Sequence, residues 1–317
     1  MVDTERLRLL YIIAYEYYIN ELTQREIAKK HNINRVQVSR YLSKAKEKGL
    51  IKINVINPLK NKTQYLKQKL LERFPVKNVL IATTSNNERN LVLEVLAEKA
   101  NKYINYSFLP FDKVGIAWGT TLFQLAKNFT TEKNYPDIEF IPLVGGSHKY
   151  DKEFQANNIA FMIAEKFGGK SFPLMAPFYI SNNKEYITIS SNIDVRKIIN
   201  KWEKLTKIII GIGSNFSKTP LTKLNVLTEK NLTKLLNFRQ VGDILTHYFN
   251  LEGKFCDLGI YKNLINYPLD YCRNVNEVIA VAGGLEKGES IIGALNTGLI
   301  DTIILDNLTA EKIVESV

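Results

Sequence analysis

A chain of 317 residues with 45% hydrophobic content can fill a sizeable core in about two domains, which excludes a single small module. No apolar run approaches a membrane span, and Met1–Asn20 is interrupted by Asp3, Glu5, Arg6, Arg8 and Glu16, so neither a membrane protein nor an exported one is expected. The formal charge of +11 is unevenly spread: residues 1–60 hold twelve Lys or Arg against six Asp or Glu, a footprint suited to nucleic acid.

Asp3–Ile19 is predicted as a helix with Leu7, Leu10, Ala14 and Tyr17 on one side. It would cover the back of a helix pair spanning Leu22–Leu50. Thr23 with Glu26, and Asn34 with Gln37, have the spacing of capping boxes and mark two helix starts. Ile27, Ala28, Ile33, Val38, Leu42 and Ala45 would close a small core, leaving Arg35, Val36, Gln37, Arg40 and Lys44 outward. Such a second helix suits the major groove of double-stranded DNA: Arg35 can grip guanine, Gln37 adenine and Val36 a thymine methyl. Ser39 and the lysines further on would hold phosphates, and Thr23 and Gln24 complete the expected interface. His31, at the end of the first helix of the pair, is expected at the surface.

Ile51–Ile56 alternates as a short strand would, ending a winged helix-turn-helix module, and Pro58 breaks the pattern. The expected organisation is a DNA-binding domain over 1–57, a linker helix within 58–75 and a second domain over 76–317. In that second part short apolar runs recur at Val79–Ala82, Val114–Trp118, Phe140–Val144, Ile208–Gly213, Val278–Ala282 and Thr302–Leu305. Helix-patterned stretches alternate with them: Leu91–Ile104, Thr121–Asn128, Asn157–Phe167, Val195–Leu205, Glu289–Asn296 and Leu308–Val314. The fold class is therefore α/β, a helical N-terminal domain followed by a Rossmann-like parallel sheet covered on both faces.

Ligands of such sheets bind where strand ends meet helix starts. Gly119, Thr120 and Thr121 follow one strand and open a helix, which fits either a phosphate cradle or an ordinary βα turn. Gly145-Gly146 and Gly211-Ile212-Gly213-Ser214 follow two others, and Gly283-Gly284 precedes Lys287. Asp243, among apolar neighbours in VGDILTHYF, needs a partner, either a sugar hydroxyl or a backbone N–H. His247 falls in what reads as a helical pattern beside Tyr248 and Phe249. His148 is the histidine nearest these strand ends. Three scattered His and two separated Cys make no metal site, and no cofactor is expected. Cys256 and Cys272 read as reduced core residues of a cytoplasmic protein.

Six stretches, in order, resemble the SorC family of sugar-binding transcriptional regulators: LTQREIAKKHNINRVQVSRYL, VGIAWGTTL, QANNIAFMIAEKFGG, GIGS, VGDILTHYFNLEG, and VAGGLEKGESIIGAL followed by LDNLTA. The resemblance implies an effector domain related to sugar-phosphate isomerases and glucosamine-6-phosphate deaminase, a homotetramer, and allosteric control by a sugar, usually phosphorylated. It places Gly119, Thr120 and Thr121 in the phosphate loop, Gln155 and Asn158 on the helix facing the ligand, Asp243 on sugar hydroxyls and Lys287 near the phosphate. Some branches carry Arg or Lys before the Gly145-Gly146 pair, where this chain has Val144, so a monophosphate is expected rather than a bisphosphate or a Schiff base. Gly288 also stands where Ala is more usual. The competing expectation is a sugar-phosphate isomerase or deaminase fused to a DNA-binding module.

Overall fold

The computed structural model describes residues 2–51, 60–215, 217 and 219–316. The chain divides into two compact units, Met1–Lys60 and Asn61–Val317.

The first unit contains α1 (Val2–Tyr18), α2 (Gln24–Lys30) and α3 (Arg35–Glu47). Both capping boxes form. Thr23 Oγ1 accepts from the Glu26 N–H at 3.3 Å, and Asn34 Oδ1 accepts from the Gln37 N–H at 2.8 Å. The tight turn between α2 and α3 is made by Asn32 in the left-handed region, at φ 54°. Leu10, Ile13 and Ala14 of α1 pack on Ile27, Ala28, Val38, Leu42 and Ala45. The expected strand Ile51–Ile56 lies outside the described residues beyond Ile51.

His31 departs from expectation. Its Nε2 lies 2.7 Å from Oε2 of Glu16, a buried carboxylate of α1 that also takes a salt bridge from Lys30 at 2.8 Å. Burial alone would push the Glu16 carboxyl up, but hydrogen bonds from Lys30 and His31, with their charges, outweigh it and hold the pKa below the ordinary value. His31 therefore ties α2 to α1.

From its second residue on, α4 (Lys60–Arg73) belongs to the second unit. This is the helix expected as a linker, but Leu66 and Leu70 are buried in the main core of the second unit together with Phe74. Then follow β1 (Asn78–Ala82), α5 (Arg89–Ser107), β2 (Lys113–Ile116), α6 (Thr120–Lys127), β3 (Glu139–Pro142), α7 (Ala156–Phe167) and β4 (Lys170–Ser171). The chain continues through α8 (Asn183–Ser190), α9 (Ile193–Trp202), β5 (Lys207–Gly211), α10 (Pro220–Lys223), α11 (Glu229–Asn237), β6 (Gln240–Ile244) and β7 (His247–Asn250). It ends with β8 (Glu277–Val281), α12 (Gly288–Asn296), β9 (Thr302–Asp306) and α13 (Asn307–Ser316).

Seven of these strands form one sheet, in the order β1-β9-β8-β5-β2-β3-β4, with every pairing parallel. Successive residues of β5 and β9 are buried alike, so both faces of the sheet are covered. From β2 the chain proceeds outward through β3 to β4, then returns to the other side of β2 as β5 and runs through β8 and β9 toward β1. The order thus reverses between β2 and β5. The carboxyl ends of these two strands frame the crevice in which doubly wound folds bind ligands.

VGDILTHYF is not helical. It forms the antiparallel hairpin β6–β7, with Asp243 opposite Tyr248. The two turn residues, Leu245 and Thr246, both have positive φ, 49° and 67°. Left-handed backbone is costly for a β-branched residue such as Thr246. Asn266 Nδ2 holds the turn by donating to the Leu245 carbonyl at 3.0 Å and to Thr246 Oγ1 at 3.2 Å.

Candidate effector site and nucleic-acid interface

A cavity of about 420 Å³ sits at the switch point between β2 and β5. One wall is the turn from β2 into α6. Gly119 caps α6 at φ 123°, a conformation open to glycine, and donates its N–H to the Phe154 carbonyl at 2.9 Å. Among the described residues no side chain caps α6, so the first-turn N–H groups beside Thr120 and Thr121 remain available to an anion.

The opposite wall comes from the loop after β5 and from the hairpin. Gly213 and Asp243 pair through their backbones, and the carboxylate lies against the glycine. Asp243 is buried. Its Oδ2 accepts from the Thr246 N–H at 3.2 Å, while Oδ1 has no hydrogen-bond partner among the described residues. An orphan buried carboxylate oxygen in a cavity wall is costly unless a ligand donates to it. Burial pushes the Asp243 carboxyl up to about 7, against the lowering effect of the Thr246 N–H and of Lys287.

Lys287 enters from the loop after β8. It is half-buried, and its Nζ donates to the Ile212 carbonyl at 2.8 Å. Burial pulls its amine below the ordinary value, while Glu286 and Asp243 act in the opposite direction. The loop is held from beneath by Asp306 and Thr309: the Gly284 N–H donates to Asp306 Oδ2 at 2.8 Å and to Thr309 Oγ1 at 2.9 Å. This explains LDNLTA as the buttress of the Gly283-Gly284 turn.

Gly119, Thr120, Thr121, Asp243 and Lys287 thus line one cavity, although they come from three separate stretches of sequence. Gly146 and Gln155 line a different surface cavity, together with the exposed His148. Gly145 is buried, and a Cβ there would lie 2.8 Å from the Ala176 carbonyl. The Gln155 side chain is engaged within its own loop, donating to the carbonyls of Ser147 at 2.8 Å and Tyr150 at 3.0 Å. Asn158 donates to the Glu153 carbonyl at 3.1 Å and lines neither cavity. Val144 is fully buried and away from the switch-point cavity. Sequence reasoning passed over Arg89, Tyr150, Lys223 and Glu286, all of which line it. Arg89 opens α5 just after β1, and a cation at a strand-to-helix turn was a signal available in the sequence. His247 is a strand residue. Its Nδ1 meets the Leu245 carbonyl at 3.0 Å, and burial lowers its pKa to about 4.

In the first unit Arg35, Val36, Ser39, Arg40 and Lys44 are exposed along α3, and Thr23 is exposed at the start of α2. Gln24 and Gln37 are half-buried. The Oε1 of Gln37 already accepts from the Asn34 N–H at 2.9 Å, leaving its Nε2 for other partners.

Residues 60–315 match the model of the Sugar-bind family, described as "Putative sugar-binding domain". The chain belongs to this family, that of the SorC-type sugar-binding transcriptional regulators. It is 28% identical over 314 residues to the deoxyribonucleoside regulator of Bacillus subtilis, covering 99% of both chains. The full-length sorbitol operon regulator SorC of Klebsiella pneumoniae superposes with a TM-score of 0.76 at 24% identity, covering 97% of this chain and 98% of that one. A DeoR family transcriptional regulator from Listeria monocytogenes gives 0.72 at 27% identity over 80% of this chain and 100% of its own. Among the described residues, this SorC-type chain has no helix long and apolar enough to cross a membrane.

Proposed function

We propose that the chain is a DNA-binding transcriptional regulator, most simply a repressor, whose hold on its operator is set by a phosphorylated sugar or polyol in the switch-point cavity. The observation that carries this reading is the meeting of an uncapped helix start at Gly119–Thr121, the half-buried cation of Lys287 and the orphan Oδ1 of Asp243 around one cavity. The first two suit a phosphate. The third suits a hydroxyl group, which can donate to it. Arg89 and Lys223 add positive charge that the sequence reading lacked, so charge alone no longer argues against a second phosphate.

DNA is read by the α3 face of Arg35, Val36, Gln37, Ser39, Arg40 and Lys44, with Thr23 and Gln24 at the start of α2. One recognition helix per chain calls for a symmetric oligomer on paired half-sites, and a homotetramer satisfies this. The DNA-binding domain extends to about residue 57, and the division of the chain at Lys60/Asn61 supports that boundary. Such a regulator works in the compartment that holds the DNA.

One observation favours a second reading. With its carboxyl pushed up to about 7, Asp243 has the proton affinity of a general acid or base, as an isomerase or deaminase would need. Relatives that match over nearly the whole chain carry the names of regulators, which supports the first reading. The test is a thermal-shift screen against sugar phosphates. A binder at 100 times its Kd adds about 2.7 kcal/mol of stability, and the bound compound is expected back unchanged after hours. Turnover abolished by Asp243→Asn would establish the enzyme instead.

A further inference from the structure

Tyr150 is a cavity residue that neither the motifs nor the family resemblance assigns. It sits on the loop between β3 and α7 and lines the cavity together with Trp118 and Lys223. The ring is fixed from several sides. Its centroid lies 5.1 Å from that of Trp118 at 47°, and 6.2 Å from that of Phe154, edge-on. Trp118 is in turn backed by Phe178 at 4.6 Å. The Lys223 ammonium stands 5.9 Å from the Tyr150 centroid. The Tyr150 backbone is held by Gln155, whose Nε2 donates to the carbonyls of Tyr150 and Ser147. A held aromatic ring, in a cavity that also carries Arg89, Lys223 and Lys287, recognises the C–H face of a ligand rather than its hydroxyls.

We propose that Tyr150 is the specificity residue of this site, an aromatic platform that selects a cyclic sugar phosphate over an open-chain polyol phosphate. The inference rests on the reading of the cavity as a sugar-phosphate site and adds the form of the sugar. A closed ring presents a rigid apolar face, whereas an open chain must lose rotamer freedom to present one. The phenol is suited to the task. Burial pushes its pKa up to about 12, with the charges of Asp243 and Asp151 acting in the same direction, so it stays neutral and can donate to a ring hydroxyl. Gln155 then acts as a positioning residue for the platform, which gives its three contacts with Ser147 and Tyr150 a purpose.

The experiment is calorimetric titration of the full chain with two matched pairs, glucose 6-phosphate against sorbitol 6-phosphate and ribose 5-phosphate against ribitol 5-phosphate, and with inorganic phosphate as the charge-only probe. Wild type is expected to favour the cyclic member of the pair that binds by about tenfold. Tyr150→Phe is expected to keep that preference within roughly threefold, and Tyr150→Leu to abolish it while leaving phosphate affinity unchanged. Trp118 fluorescence on titration is expected to report the ligand in wild type and Tyr150→Phe. Equal or tighter binding of the open-chain member, or an equal loss for all probes in Tyr150→Leu, would overturn the platform and leave the sugar-phosphate site standing. If wild type bound none of the five compounds, the site reading and the platform would fall together.

Discussion

Gly213 packs so closely on Asp243 that a Cβ on residue 213 would fall 1.8 Å from Oδ1 of Asp243. The GIGS motif after β5 is therefore the complement of the hairpin acid. Gly213→Ala is expected to displace the carboxylate, destabilise the second unit by ~1–3 kcal/mol and abolish sugar-phosphate binding. Thermal melting and calorimetry check both effects. Unchanged ligand affinity in this variant would show that Asp243 does not touch the ligand.

The same carboxylate makes stability depend on pH. An unfolded Asp titrates near 3.9, whereas folded Asp243 is pushed up to about 7 by burial. Between these values the folded chain keeps a proton that the unfolded chain releases. Stability present below about pH 4 is therefore lost as pH rises through about 7, on the order of 2–4 kcal/mol in all. Asp243→Asn removes this dependence, so its melting temperature is expected to gain on wild type between about pH 5 and pH 8. Parallel curves for the two proteins would contradict it.

In the first unit the Glu16–His31 contact at 2.7 Å has the opposite sign. The Glu16 carboxyl is held below its ordinary value, so its contribution is present above the unfolded pKa and is lost as pH falls through the folded one. Glu16→Gln is expected to cost ~1–3 kcal/mol near neutral pH and to loosen α1 from α2. Hydrogen exchange in α1 measures this, and protection equal to wild type would count against the tie.

These ties were not all legible in the sequence. The two capping boxes were, because each is set by residues three apart. The parallel strands were, because strands buried on both faces read as unbroken apolar runs such as Ile208–Ile210. The β6–β7 hairpin was not. Val241, Ile244, Leu245 and Tyr248 fall at i, i+3, i+4 and i+7, a helical rhythm, and the turn uses Leu245-Thr246 where Asn-Gly would have announced it. Glu16 lies fifteen positions from His31, and nothing local marks the pair. At the cavity, glycine-rich strand ends pointed to one wall. Arg89, Tyr150 and Lys223 arrive from separate elements that only the strand order brings together.

On DNA, Arg35→Ala is expected to cost roughly 1–3 kcal/mol on the operator and to relax preference at one base position, whereas Lys44→Ala weakens specific and random DNA alike. Titrations of labelled duplexes separate the two. An equal loss on operator and random sequence for Arg35→Ala would mean that α3 does not read bases through this residue.

Occupancy of the switch-point cavity is expected to change the hold on DNA. The most direct test is the fluorescence anisotropy of labelled operator titrated with wild type, in the absence and in saturating presence of the sugar phosphate that the chain binds best. Wild type is expected to change its operator affinity by about fivefold or more, and the double variant Thr120→Val, Thr121→Val to lose that response at the same ligand concentration. Identical operator affinity for wild type with and without bound sugar phosphate would contradict coupling between the cavity and DNA binding.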